Sequence, residues 1–108
     1  MPDRRRQPKA VKDSKTLFGK AFSELRAESG VSTYELSEAV GYHSRGGGAA
    51  NISKYERGDM LPPQPETIIE WMAVLGYPED AVETRSILGV AAQDHHRAID
   101  LDYLGIVS

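Results

Sequence analysis

The sequence predicts an all-α domain of five helices, and three observations support this fold class. Apolar residues recur every three or four positions in several segments, which is the spacing of a helix with one buried face. Alternating apolar and polar runs, which are typical of strands, are almost absent. Glycine or proline stands at the ends of most periodic segments, where these residues stop or start helices. The length of 108 residues, of which 40% are hydrophobic, fits one small domain.

The first two helices are predicted before Gly41. The first contains five apolar residues at helical spacing and is expected to end at Gly30; these residues are Leu17, Phe18, Ala21, Phe22 and Leu25. Ser32 and Glu35 have the spacing of a capping box, in which each side chain accepts a hydrogen bond from the other residue's amide. The second helix is therefore predicted over residues 33–40.

Three more helices are predicted after a glycine-rich interval. The third extends from about Ala49 to Arg57 and ends at Gly58. Pro65 suits the first position of a fourth helix, which is apolar nearly all round and is expected either at the centre of the core or under a partner. Pro78 is expected to start a fifth helix over residues 79–88, followed by a last short helix or tail over 94–108.

The chain is expected to divide into a disordered basic arm over residues 1–13, a helical domain over 14–90 and a C-terminal extension over 91–108. The arm lacks apolar periodicity and contains two prolines. The C-terminal region has more apolar residues than five helices need: Ile87, Leu88, Val90, Ile99, Leu101, Tyr103, Leu104 and Ile106. This set predicts a dimer interface, which we favour, or a cap on the core.

Several function classes are disfavoured by the composition. The chain has no cysteine, which excludes thiolate zinc sites and disulfides. Asp94, His95 and His96 are expected on a solvated surface, since adjacent histidines on a helix point in different directions; we predict no metal and no cofactor. No Ser/His/Asp arrangement is recognisable, and the glycine run lacks the Gly-Lys-Ser/Thr of a phosphate-binding loop, so an enzyme is not expected.

No apolar run could span a membrane, and we expect a cytoplasmic protein.

Charge is distributed unevenly along the chain. The net charge is −3, but residues 1–20 carry +5 and residues 59–108 carry −7. Such polarity suits a protein that presents its N-terminal half to an anionic polymer, because lysine and arginine displace phosphate counterions. A solvated basic tail is the simpler interpretation of this charge run taken alone.

The third predicted helix has two distinct faces. Ala49, Ile52, Tyr55 and Glu56 fall on one side, and Ala50, Lys54 and Arg57 on the other, with Asn51 and Ser53 beside the latter. Small residues let a helix backbone approach DNA, asparagine can pair with adenine, and lysine can reach guanine or phosphate. The pattern therefore fits entry into a DNA major groove, although an ordinary solvated helix would show it as well.

The segments "FGKAFSELRAESGVSTYELSEAVG", "ISKYERG", "PP" and "PETIIEWMAVLG" add a wider pattern. Together they resemble the xenobiotic-response-element family of helix-turn-helix domains, which includes the lambda-type repressors and Cro. The resemblance covers about residues 17–77. It implies a compact lambda-repressor-like domain that binds double-stranded DNA in a sequence-specific manner. It further implies a transcriptional regulator, commonly a repressor, that acts as a homodimer on an inverted repeat.

The resemblance also implies roles for single residues. Arg26 and Glu56 match an ion pair that joins helices 1 and 3. Thr33 matches a phosphate-binding position, and Arg57 a position that contacts the DNA backbone. Base-reading positions fall on Ala49, Ala50, Asn51, Ser53 and Lys54. Further DNA contacts are expected from Arg4, Arg5 and Arg6 of the arm and from Arg45 of the glycine-rich loop. Leu36, Ile52, Ile68, Met72 and Leu75 match core positions, and Trp71 matches either the core or a dimer contact.

The turn between helices 2 and 3 departs from the family pattern. It is several residues longer than usual and contains Arg45 followed by three glycines. A flexible spacer is the favoured interpretation, and contact of its backbone with phosphate is the other. Beside the DNA-binding regulator, two functions stay open. A protein-interaction adaptor is supported by the net acidity and by two alanines at base-reading positions, and an antitoxin would bind both DNA and a toxin.

Overall fold

Five helices form the part of the protein that the computed structural model describes, namely residue 11, residues 13–41 and residues 48–107, with side chains described up to residue 99 and not at residue 48. They are α1 (Leu17–Glu28), α2 (Thr33–Ala39), α3 (Gly48–Arg57), α4 (Pro65–Val74) and α5 (Val82–Val107). These ranges contain no strand. The all-α class with five helices is therefore confirmed.

Local hydrogen bonds fix the starts of α1 and α2. The Gly19 amide donates to the Thr16 hydroxyl at 2.9 Å, so that Thr16 caps α1. At α2, the Glu35 amide donates to Ser32 Oγ at 3.0 Å, and the Ser32 amide donates to Glu35 Oε1 at 2.9 Å. The capping box predicted from the sequence is thus present, and it satisfies amides that have no partner inside the helix.

The last helix differs from its prediction at both ends. α5 begins at Val82, because residues 78–81 form a turn in which the Ala81 amide donates to the Pro78 carbonyl at 3.0 Å. It then continues to Val107, so the prediction of a separate short helix or tail over residues 94–108 is wrong. Gly89, which lies in its interior, costs a helix only about 1 kcal/mol. Burial of Ile87 and Ala91, one turn apart on α5, offsets that cost.

The core lies between the helices, and α4 contributes three of its buried residues. Its buried members are Phe18, Phe22, Leu36, Ile52, Ile68, Trp71, Met72, Leu75, Ile87 and Ala91. Trp71 is only 1% exposed and lies 5.4 Å from the Phe22 ring and 5.6 Å from the Tyr55 ring, measured between ring centroids. Of its two predicted locations, Trp71 therefore occupies the core.

The described apolar side chains of the C-terminal region separate into two groups. Ile87 is buried in the core, and Leu88 and Val90 pack against it. These three residues cap the core, as one of the two interpretations of the apolar set requires. Ile99 is 65% exposed. The side chains of Leu101, Tyr103, Leu104 and Ile106 lie outside the described residues. Among the described helices, none is both long enough and apolar enough to cross a bilayer.

Gly19 allows α1 and α3 to approach closely. A Cβ atom at this position would overlap the Glu56 carbonyl oxygen of α3 and the Ser14 hydroxyl. The carbonyl belongs to the backbone and cannot rotate away as a side chain could. The contact between the start of α1 and the end of α3 therefore requires glycine at this position.

We expect Gly19→Ala to lower the free energy of unfolding by about 1–3 kcal/mol, because the added methyl group forces α1 and α3 apart. Gly89→Ala is the matched control, since Gly89 is also helical and a Cβ atom there meets nothing within 4 Å. That variant should gain up to about 1 kcal/mol from the higher helix propensity of alanine. Urea denaturation followed by circular dichroism measures both values. Effects of the same sign would contradict the close approach at Gly19.

Candidate nucleic-acid interface

α3 has one face in the core and one face in solvent. Ile52 and Glu56 are buried, whereas Ala50, Asn51, Lys54 and Arg57 are exposed. Ala49 and Ser53 are half-buried at the boundary between the two faces. The exposed face thus combines a small residue, an amide and two cations. These are groups that can approach and bind base edges and phosphates.

A buried ion pair holds the inner face of α3 against α1. Arg26 Nε donates to Glu56 Oε2 at 2.5 Å, and Arg26 Nη2 donates to Glu56 Oε1 at 2.9 Å. The two side chains are only 5% and 1% exposed. Arg26 Nη1 makes a third bond, to the Val31 carbonyl at 2.9 Å, which joins α1 to the turn that precedes α2. Because the planar guanidinium and carboxylate pair through two bonds, this contact fixes the orientation of α3 as well as its distance from α1.

The C-terminal end of α3 is held by the segment that precedes α1. Gly58 has φ +79° and closes a Schellman motif, in which the Asp59 amide donates to the Lys54 carbonyl at 2.9 Å. The Lys15 amide donates to the Arg57 carbonyl at 2.9 Å. A Cβ atom on Gly58 would lie 2.6 Å from the Thr16 nitrogen and 2.7 Å from the Lys15 nitrogen. Backbone contact therefore locks the last turn of α3 onto residues 15 and 16.

Three charged side chains meet at this end of α3. Asp59 accepts from Lys15 Nζ at 2.9 Å and from Arg57 Nε at 3.1 Å. The hydrogen bond from Lys15, followed by that from Arg57, holds the pKa of Asp59 below its ordinary value of 3.8. The ionised form of Asp59 therefore stabilises the folded protein at neutral pH. This contribution is fully present above the ordinary pKa and is lost as the pH falls through the lowered one.

Lys15 is a candidate site residue that the sequence prediction did not include. Its side chain is 73% exposed and adjoins that of Arg57 through Asp59. With two cations and one carboxylate the cluster keeps a net positive charge. In the sequence, Lys15 is one of several basic residues near the N-terminus, and only its backbone contact with α3 brings it to this surface.

The remaining candidate residues fall into two groups. Thr33 is the first residue of α2 and is half-buried beside the capping box. α2 packs against α3 and α4. Arg4, Arg5, Arg6 and Arg45 lie outside the described residues, as do residues 42–47 of the extended turn.

The prediction of a solvated surface is wrong for Asp94, which is only 6% exposed. α5 passes over the start of α1, where unpaired amides need acceptors, and the Leu17 and Phe18 amides donate to the Asp94 carboxylate. Within the described ranges, no group of three or more histidine, aspartate and glutamate side chains could hold a metal ion.

We expect Arg26→Met and Glu56→Leu each to lower the free energy of unfolding by about 3–5 kcal/mol, because each removes the opposite charge from a buried ionised group. The double variant should lose much less than the sum, since neither charge is then present. Urea denaturation of the wild type, both single variants and the double variant gives the coupling energy. Additive losses would show that the two side chains do not act as a pair.

No protein-family model, curated protein or solved structure matches this chain. The resemblance to the lambda-type repressors therefore stays a prediction. The candidate interface is defined by its own geometry, namely an exposed face on α3, a buried ion pair behind it and a basic cluster at its end.

Proposed function

We propose that this protein is a lambda-repressor-like helix-turn-helix domain that binds double-stranded DNA in a sequence-specific manner. One observation carries the proposal: α3 exposes small, amide and cationic side chains while its inner face is fixed to α1 by the Arg26–Glu56 pair. A helix that reads bases must present its side chains in a reproducible orientation, since each base is distinguished by the geometry of one or two hydrogen bonds.

In this proposal α3 enters the major groove, which is wide enough for one helix. The small side chains of Ala49 and Ala50 allow close approach and can contact a thymine methyl group. Asn51 has the donor and acceptor needed for adenine, and Lys54 can donate to guanine or to phosphate. Ser53, at the boundary of the exposed face, can donate to a base or to the backbone.

Contacts with the DNA backbone come from residues around α3. Arg57 and Lys15 lie at its C-terminal end, and Thr33 begins α2. The bond from Arg57 to Asp59 uses Nε, so a phosphate would be bound through the terminal guanidinium nitrogens. Phosphate contacts of this kind set the position of the protein on the duplex and make binding sensitive to salt.

The proposal includes a homodimer that represses transcription by occupying an inverted repeat. A two-fold dimer would place the two copies of α3 about 34–36 Å apart, which is one turn of DNA. α5 extends beyond the core residue Ala91, and Ile99 is exposed on this part of the helix. An exposed large apolar side chain supports a dimer contact through the C-terminal half of α5.

A groove between α1 and α5 favours a second candidate function, a protein-interaction adaptor. The groove has a volume of about 340 Å³, and its lining includes Leu25 and the 78%-exposed Val82 as well as three carboxylates, those of Glu24, Glu28 and Glu83. An apolar floor with an acidic rim complements a basic amphipathic segment, which could belong to a toxin or a co-regulator.

Titration of the full chain with genomic DNA fragments at two salt concentrations tests the proposed function. A regulator should select discrete fragments, and its affinity should fall steeply at the higher salt concentration, because binding releases counterions from the DNA. If no fragment is selected even at low salt, the DNA-binding proposal fails and the adaptor becomes the better account.

We expect Asn51→Ala and Lys54→Ala each to reduce discrimination between a selected site and a single-base variant by ~1–3 kcal/mol, because each removes a base contact. Gln93→Ala is the matched control, since Gln93 is an exposed amide on α5. Fluorescence anisotropy with the two duplexes measures the discrimination. Unchanged discrimination in both α3 variants would contradict base reading by this face.

Neutralising Arg4, Arg5 and Arg6 with glutamine should weaken binding to every sequence by a similar factor, because phosphate contacts carry no sequence information. The slope of log affinity against log salt should become shallower by about 0.9 for each phosphate that the arm no longer neutralises. The same duplexes and a series of salt concentrations provide the measurement. An unchanged affinity would make this segment a passive tail.

A further inference from the structure

A buried carboxylate joins α5 to the start of α1. Asp94 Oδ1 accepts from the Leu17 amide at 3.0 Å, and Oδ2 accepts from the Phe18 amide at 2.7 Å. The Thr16 hydroxyl accepts from the Gly19 amide, so the first three amides of α1 all have acceptors. An ionised carboxylate is favourable here, because the N-terminus of a helix carries partial positive charge.

The next residue on α5 holds the segment that follows α3. His95 Nε2 lies 2.8 Å from the Pro62 carbonyl oxygen, which can only accept, so the imidazole donates. Pro62 belongs to the connection between α3 and α4. Two adjacent residues of α5 therefore bind two segments next to α3. Asp94 binds the start of α1, and His95 binds the connection that follows α3.

The contacts continue from these two segments to α3 itself. Lys15, two residues before α1, donates through its amide to the Arg57 carbonyl. Its Nζ also bonds to Asp59, at the beginning of the segment that His95 binds. Gly19 lies in the turn of α1 that Asp94 caps and touches the Glu56 carbonyl. Two routes thus connect α5 with the last turn of α3: one passes from Asp94 through the start of α1, and the other from His95 through the chain between Pro62 and Asp59.

We infer that Asp94 and His95 are positioning residues that set the orientation of α3, so that α5 controls the face of α3 that contacts DNA. The DNA part of this inference rests on the proposed function; the control of α3 does not.

Asp94→Asn tests the inference, because it keeps the size of the side chain and replaces one of the two acceptor oxygens with a donor. Glu70→Gln is the matched control: it removes one negative charge in the same way, at an exposed position of α4. In nuclear magnetic resonance spectra, hydrogen exchange at Leu17 and Phe18 should increase roughly fivefold in Asp94→Asn, as for the loss of a helix cap. Amide signals of α3 should shift in this variant and not in the control. Shifts confined to α5 and the first turn of α1 would overturn the inference.

DNA binding provides the second measurement, made at a temperature where all variants are folded. Both variants lose one negative charge, so charge alone would tighten binding to all DNA equally. Positioning predicts that Asp94→Asn lowers the preference for a selected site over random duplex by roughly fivefold or more, the range of ordinary coupling between sites. Glu70→Gln should keep the preference, and an equal preference in both variants would overturn the inference. A wild-type protein that binds no DNA would defeat the proposed function, while the spectra would still decide the positioning role.

If Asp94→Asn does not fold, His95→Ala tests the same inference. The His95 side chain is exposed, so its removal leaves the core intact, and the neighbouring Gln93→Ala serves as control. His95→Ala should shift the amide signals of Asp59 and the last turn of α3. Spectra that match those of the control would overturn the role of His95.

Discussion

The buried pairing of Arg26 with Glu56 is the contact on which the presentation of α3 depends. A helix of ten residues is only marginally stable in isolation, so α3 must be held by tertiary contacts. Apolar burial of Ile52 supplies attraction but little direction, whereas two parallel hydrogen bonds between planar groups define an orientation. Because both charges are desolvated, the pair adds little net stability compared with an apolar contact of similar volume. Its value is the geometry that it imposes on the exposed face.

The last turn of α3, which includes Glu56, is also held by contacts of a different kind, made by backbone atoms. Gly19 and Gly58 remove side chains where α1 and the residues before it meet α3, and the Lys15 amide binds the Arg57 carbonyl. Asp94 in turn satisfies the amides at the start of α1. A short helix whose last turn is held in this way, and whose Ile52 side chain is buried one turn earlier, can present Asn51 and Lys54 in one orientation, as sequence-specific binding requires.

Local rules predicted those parts of the fold that depend on a few neighbouring residues. The capping box of Ser32 and Glu35 and the first position of α4 at Pro65 are examples, because their hydrogen bonds and backbone angles are set within one turn. The two faces of α3 follow from helical spacing in the same way. The continuity of α5 past Gly89 and the burial of Asp94 were not predictable, since both depend on contacts between α5 and α1, which are far apart in the sequence. Lys15 reaches the candidate interface for the same reason, through bonds to Arg57 and Asp59.

Selection of binding sites from random-sequence duplex DNA tests whether the exposed face of α3 reads bases. We expect an enriched sequence made of two related half-sites whose centres lie about 10 base pairs apart, since a two-fold dimer presents two copies of α3 to successive turns of one groove. A recovered pool with the same sequence composition as the starting pool, even at low salt, would contradict it.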